Sequence, residues 1–328
     1  MKEIQDSLLS YFQDQDSTFE DGSLYHFLKP KLCANHIFPQ ADELAENPSR
    51  YLKFQIDLQE IASYPRGMNL ALALMVEVNV AVGILLHSDT EKALELKEKV
   101  IRGNYILATG VSEPGWEGTL KKLKSNLGKD FKLNGTKSFI TNGGSANGVL
   151  WVVPRNHKYE VYFIDLELSA NHLKRESIIT PFLHFVSHNK ISAVDLPLKK
   201  QDLVCEDYSK LGIELRLKEL FSLVSLLLGY VEGLRAFIKH PPLEEKWTAL
   251  RKWRDTTAKD LVAKNYLQVL EEAFPFPIDS LLSELAVYFQ LNDVTSLPTR
   301  DPDLAIFLWE DLFTKFLIHR KSRKIKDQ

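Results

Sequence analysis

Two short stretches combine turn residues with side chains suited to a bound ligand. The first is VSEPGWEGT, residues 111–119, at the end of an apolar run. Pro114-Gly115 matches the central pair of a type II turn, Pro for its fixed φ and Gly for the positive φ that follows, and Gly118 permits a second bend. Successive N–H groups left facing outward by such a loop form a concavity that holds a carbonyl oxygen or a phosphate. A plain surface loop is the other reading of the same residues. The second stretch is FKLNGTKSFITNGG, residues 131–144. Asn-Gly between alternating apolar residues signals a type I′ hairpin, so Asn134-Gly135 is expected to reverse the chain. Lys137, Phe139 and Thr141 would then leave the turn on one face, with Ser138 and Ile140 on the other. A register fixed within one residue would hold the Phe139 ring and the Thr141 hydroxyl toward one object, either a ligand or an ordinary sheet neighbour.

Positioning these residues requires a β region, and the chain supplies one between two helical regions. Residues 1–105 repeat apolar positions at three and four, as in IQDSLLSYF, and DTEKALELKEKVIRG has an acidic start, a regular apolar face and Gly103 at its close. From 106 to 206 the texture changes to YILATGV, FKLNGTKSFIT, VLWVVP, EVYFIDL and HNKISAVDL, separated by Gly, Asn and Pro clusters. Helical character returns from 207 to 328. IELRLKELFSLVSLLLGYVEGLRAFIKH reads as a central bundle helix, and a second helix is expected to run on to Pro275 and Pro277. The expected fold class is α+β: an N-terminal helical domain, a middle β-barrel or β-sheet domain and a C-terminal helical bundle.

Bulk properties narrow the function. The 328 residues are 45% hydrophobic and 26% charged, with a formal net charge of −3, so no general basic footprint for nucleic acid exists. The basic stretch KFLIHRKSRKIKDQ at 315–328 reads as a helix end and solvated tail. Cys33 and Cys205 have neither disulfide nor zinc-site spacing, which suits a reducing, cytoplasmic setting. MKEIQDSLLSYFQDQD lacks the basic n-region and apolar core of a signal peptide. MNLALALMVEVNVAVGILL, residues 68–86, approaches membrane-spanning length but holds Asn69, Glu77 and Asn79, and is expected to be a buried helix and not a membrane span.

ATGVSEPGWEGT followed by LNGTKSFITNGGSANGVLWVV resembles the middle domain of the acyl-CoA dehydrogenase family, with its T-E-P-x-x-G-S-D and L-N-G-x-K-x-[FWY]-I-T-N-G segments. HSDTEKALELKEKVIRGN looks like the family's G-T-x-x-Q-K-x-x-x-L-P-x-L-x-x-G segment, and the helical, β, helical order agrees over nearly the whole chain, as for an atypical, shortened member. The resemblance implies FAD as cofactor. Phe139 would cover the isoalloxazine and Thr141 would meet flavin N5, while Ser112, with the Val111 backbone, would contact the pyrimidine edge. Gly118 and Thr119 would stand for the G-S pair near the pyrophosphate and acyl chain, after a one-residue insertion around Trp116-Glu117.

Family members abstract a proton alpha to a thioester with a carboxylate base opposite the flavin. The usual Y-E-G-T-like loop is missing, and Asp293, Asp301 and Asp303 do not stand in its context. A smaller branch carries the base in an E-R-x8-G spacing. Here Glu219 precedes Gly229 by ten residues, with Leu220 in place of the Arg, so the resemblance points to Glu219 as the catalytic base. A solvated helix-surface carboxylate is the other reading. The family's Y-x-x-x-R-x-x-F-G segment, which reaches a neighbouring subunit's FAD, is replaced by LRAFIKHPP, where Arg235 and Phe237 stand too close together. FAD is therefore expected to bind weakly or to be lost without a partner chain. The leading expectation is FAD-dependent α,β-dehydrogenation of an acyl-CoA or acyl-carrier thioester, in a homo-oligomer or a heteromer with another family member. A redox-silent partner subunit or acyl-binding protein, and a flavin monooxygenase-like member of the same fold, are the alternatives.

Overall fold

The structure, a computed structural model, describes residues 1–13, 22–39, 43–44, 47–235, 237, 239–263 and 265–311. The basic stretch at 315–328 lies outside them. Helices α1 (Lys2–Gln13), α2 (Ser23–Ala34), α3 (Pro48–Ala62), α4 (Gly67–Leu86) and α5 (Glu91–Ile101) come first. α5 shows why such segments are helical. Thr90 accepts the Ala93 N–H as N-cap, Glu91 and Lys99 complement the helix dipole at opposite ends, and Ala93, Leu96 and Val100 bury one face. α4 is the apolar tract, long and apolar enough to cross a membrane, and it is buried inside the protein. Its middle, Glu77–Val82, is π-helical.

Two four-stranded sheets follow; no closed barrel forms among the described residues. The first has the order β1 (Leu107–Gly110), β4 (Gly148–Arg155), β5 (Lys158–Asp165), β8 (Leu203–Cys205). The second has the order β2 (Asn126–Leu127), β3 (Lys132–Thr141), β7 (His188–Pro197), β6 (Leu173–Ser177). β1 runs parallel to β4. Gly148 to Val153 of β4 are all buried, as expected of a strand covered on both faces. The sheets meet through Trp151, whose Nε1 donates to Ser125 Oγ at 3.2 Å, and through Ser138, whose N–H donates to the Ser112 carbonyl at 2.9 Å.

The Asn134-Gly135 turn does not exist: β3 runs straight through it, and the chain reverses earlier, where the Gly128 N–H donates to the Lys132 carbonyl. Two bulges explain the pair. Leu133 opposes Leu196 and Gly135 opposes Ala193, which leaves an extra residue in β7 at Val194-Asp195. Asp195 has φ 47°, and its N–H donates to Asn134 Oδ1 while Asn134 Nδ2 donates to Asp195 Oδ1. Asn134 therefore ties a bulge 61 residues away. Gly135 is required by close approach, since a Cβ there would lie 2.8 Å from Ser125 Cβ and 2.9 Å from its Cα. Gly135→Ala is expected to cost about 1–3 kcal/mol in urea unfolding through this overpacking; an unchanged midpoint would show that the Ser125 backbone yields freely.

The second bulge separates Lys137 from Phe139 and Thr141, which were expected to share its face. Lys137 opposes Ile191 and Ile140 opposes Asn189, so Ser138 and Phe139 together face the single residue Lys190. Strict alternation is lost, and Lys137 and Ile140 are buried while Ser138, Phe139 and Thr141 are half-buried.

The C-terminal helices are α6 (Gly212–Arg235), α7 (Pro241–Ala263), α8 (Tyr266–Ala273) and α9 (Asp279–Tyr288), followed by short helical turns up to Asp311. The helix expected to continue to Pro275 is two helices, because Asn265 accepts the Leu267 N–H and caps α8. Arg254 on α7 is buried and satisfied by Asp255, the Gln55 carbonyl, Ser225 and Gln59, locking α3, α6 and α7 together.

Candidate functional site

The site is assembled where β1 leaves its sheet. Pro114-Gly115 forms the expected turn, with Gly115 at φ 76° and the Trp116 N–H donating to the Glu113 carbonyl at 3.0 Å. The next residues make a second turn, in which Glu117 and Gly118 have φ 50° and 73° and the Thr119 N–H donates to the Trp116 carbonyl at 3.0 Å. Ser112 is bound to β3 on both sides of its peptide plane. Its carbonyl accepts from Ser138, and its hydroxyl donates to the Phe139 carbonyl at 3.3 Å.

Beneath the turn lies an ion pair that the sequence reading missed. Lys137 Nζ donates to Glu113 Oε1 at 2.7 Å, to the Val111 carbonyl at 3.1 Å and to the Val152 carbonyl at 2.6 Å, and both charged side chains are buried. Glu113 Oε2 accepts the Lys124 and Ser125 N–H groups. Every oxygen and the ammonium are thus used to hold three chain segments in place. Burial raises the Glu113 carboxyl but Lys137 and the N–H donors outweigh it, leaving it below its ordinary value. Burial pulls the Lys137 ammonium down to about 8, against the attraction of Glu113. A Lys at even spacing from the apolar Leu133 was the available signal, and the bulge that follows it is what puts Phe139 and Thr141 on another face.

Val111 and Ser112 are hydrogen-bonded to β3 at Lys137, Ser138 and Phe139, and Thr141 lies two residues further along that strand. Phe139 is half-buried and stacks on His188, with centroids 4.5 Å apart and planes 28° apart, and Thr141 opposes His188 in the β3–β7 register. Asn142 closes the strand by donating from Nδ2 to the Ala73 carbonyl of α4 at 2.8 Å. Gly118 and Thr119 belong to the second turn, whose hydrogen bonds run within 116–122. The hydrogen-bonding chemistry suits a flat heteroaromatic ring. It comprises an aromatic face and the Ser112 and Thr141 hydroxyls, while His188, stacked on that face, is 3% exposed and has no hydrogen-bond partner among the described residues.

Glu219 is on α6, half-buried, with Oε2 accepting from Arg216 Nη1 at 2.6 Å. Its charge also acts on the buried Tyr208, whose hydroxyl is driven far up, first by burial and then by Glu219. Glu219 thus contacts its own helix and the turn that leads into it, while Ser112, Phe139 and Thr141 share the β3 edge. Gly229, its partner in spacing, has a packing role, since a Cβ there would stand 2.7 Å from Ala62 Cβ of α3. The three aspartates of the later region are structural. Asp293 caps a short turn, Asp301 accepts from the Tyr230 hydroxyl at 2.9 Å, and Asp303 accepts the Leu183 N–H at 2.6 Å. Arg235 is engaged within its own chain by Glu244 and by the Trp247 ring, 3.8 Å away, while Phe237 is 89% exposed.

No family model matches the chain, and no curated protein matches it in sequence. Its fold, however, is shared with solved structures over nearly its whole length. An FAD complex of PigA superposes with a TM-score of 0.74 at 12% identity, covering 97% of this chain and 93% of that one. The prolyl acyl carrier protein oxidase AnaB gives 0.66 at 14% identity, covering 96% of each chain. An acyl-CoA dehydrogenase from Geobacillus kaustophilus gives 0.68 at 15% identity, covering 91% of this chain and 89% of that one. The chain has the acyl-CoA dehydrogenase fold.

Proposed function

We propose that this chain is a flavoprotein that binds FAD along the β1–β3 edge and takes part in the α,β-dehydrogenation of an acyl thioester carried by CoA or a carrier protein. The observation that carries the reading is that the Ser112 turn is hydrogen-bonded to β3 at Ser138 and Phe139, two residues from Thr141 on the same half-buried strand segment, over the Lys137–Glu113 pair. Structural neighbours that bind FAD or are named for carrier-bound and CoA-bound acyl groups support it. FAD, when bound, supplies the hydride acceptor for the substrate's beta carbon. The residues here do the rest. Phe139 would pack against the ring, Thr141 and, as an acceptor, Ser112 would orient it by hydrogen bonds, and Glu219 would take the alpha proton through the carboxylate oxygen that Arg216 leaves free. The proposed setting is cytoplasmic, as a homo-oligomer or a heteromer with another chain of this fold. Because Arg235 is committed to Glu244 and Trp247, distal FAD contacts would come from a partner, and single-chain affinity is low.

The direct test is the visible spectrum and FAD titration of the purified chain. Saturable binding with a perturbed flavin band is expected, and Thr141→Ala should weaken it about 3- to 10-fold for one lost hydrogen bond. Thr136→Ala, whose hydroxyl is occupied by Ser192 Oγ at 2.9 Å, should leave it unchanged. No binding at any FAD concentration would sink the flavin reading. A second reading, a redox-silent partner subunit, is favoured by one observation: Arg216 already holds Glu219.

A further inference from the structure

The loop that follows Ser112 leads into a basic stretch, TLKKLKSNLGKDFK at 119–132, which sets five lysines against one aspartate in a chain of formal net charge −3. All five lysines are exposed. Lys122 meets Glu117 and Lys132 meets Asp130, but Lys121, Lys124 and Lys129 have no ion-pair partner among the described residues. An exposed lysine is ordinary by itself, so position decides. Lys121 and Lys122 belong to the short helical turn that begins after Thr119, and the Lys124 N–H is held by the buried Glu113, so the row starts on the fixed loop beside Ser112. Trp116 and Leu120, both half-buried, lie on the same loop, and the Trp116 carbonyl accepts from Thr119. The row then continues past β2 to the hairpin tip, where Arg155 stacks on Phe131 at 4.5 Å.

An aromatic centre with a charged rim is the anatomy of a protein-docking face. Small ligands are gripped in concave sites, whereas lysines spread over an exposed turn and a hairpin tip meet a large anionic surface and speed its encounter. We infer that this loop and hairpin form the docking face for an acidic carrier protein, which presents the acyl thioester on its flexible phosphopantetheine arm to the adjoining Ser112 edge. The inference rests on the acyl-thioester reading above and narrows the carrier to a protein.

Fluorescence anisotropy of labelled apo acyl carrier and peptidyl carrier proteins, titrated with the purified chain in excess FAD at low and at high salt, tests it. The chain is compared as wild type, as Lys121→Glu with Lys124→Glu, and as Lys252→Glu with Lys259→Glu, two exposed lysines of α7. At least one carrier should bind saturably to wild type and about tenfold more weakly at high salt. The 121/124 variant should lose about tenfold or more at low salt, and the α7 variant should stay within about twofold of wild type. No binding of either carrier at low salt overturns the inference. Equal losses in the two variants overturn it as well, because the attraction is then to net charge and not to this face. Octanoyl-CoA, titrated in parallel, separates this failure from failure of the thioester reading. If wild type binds octanoyl-CoA and neither carrier, the docking face falls and the thioester reading stands with CoA as the carrier. If the 121/124 variant loses octanoyl-CoA as strongly as it loses the carrier, the lysines grip phosphate and the docking face falls. If wild type binds neither carriers nor octanoyl-CoA, both fall together.

Discussion

Lys137→Met is expected to lower the unfolding free energy by about 3–5 kcal/mol, the scale for breaking a buried ion pair from one side. The reason is the environment left behind. Glu113 would remain buried with its countercharge gone, and the Val111 and Val152 carbonyls would lose the donor that ties β1, β3 and β4 together. Urea unfolding followed by tryptophan fluorescence measures the loss, and a cost under about 1 kcal/mol would mean that water or a rearranged side chain replaces the ammonium. The double variant Glu113→Gln, Lys137→Met should lose less than the two single losses added, since each single change strands the other partner. The pair also sets a pH response. The Glu113 carboxyl has a lower value folded than its ordinary 4.5, so the unfolded chain binds protons more readily. Its contribution is therefore full above about pH 4.5 and is lost as pH falls through the folded value, and Glu113→Gln should flatten acid unfolding in that window.

Glu219→Gln is expected to reduce substrate-driven flavin reduction by about 10²–10⁴-fold, the range for removing a positioned general base, while leaving FAD affinity unchanged. The substitution keeps the size of the side chain and its hydrogen-bonding oxygen toward Arg216, so the helix surface should be undisturbed. Rapid mixing of the FAD-loaded protein with a panel of acyl-CoAs gives the rate directly. Equal rates in wild type and variant would move the base elsewhere. No reduction of bound flavin by any thioester in wild type would favour the partner-subunit reading, in which the Arg216–Glu219 pair is structural.

Local stereochemistry made part of this protein legible from residues alone. Pro114-Gly115 demanded a turn with positive φ after proline, and one is there. α5 follows from Thr90, Glu91 and a three-and-four apolar face, and the tract at 68–86 from apolar length interrupted by Asn69, Glu77 and Asn79. The four longest strands, β3, β4, β5 and β7, and the short β1 occupy the β-rich runs that announced them, while β6 had no such run. Short-range rules suffice in each case, because φ preference, capping and side-chain period involve residues within a turn or two.

The site was legible in its residue types and not in its geometry. Asn134-Gly135 reads locally as a hairpin, but Asp195 accepts its amide and Ser125 crowds its glycine, so the pair serves a bulge instead. A second bulge, whose position depends on pairing with β7, takes Phe139 and Thr141 off the face of Lys137, which by plain alternation follows Leu133 inward to Glu113. The sequence by itself determined most of the helices, the longest strands and the Pro114-Gly115 turn, since those preferences are local, but not the fate of Asn134-Gly135 or the break before Asn265. Tertiary structure alone decided which face Phe139 and Thr141 took, because a bulge is set by hydrogen bonds to a strand some fifty residues away and one extra residue reverses the alternation that local pattern predicts.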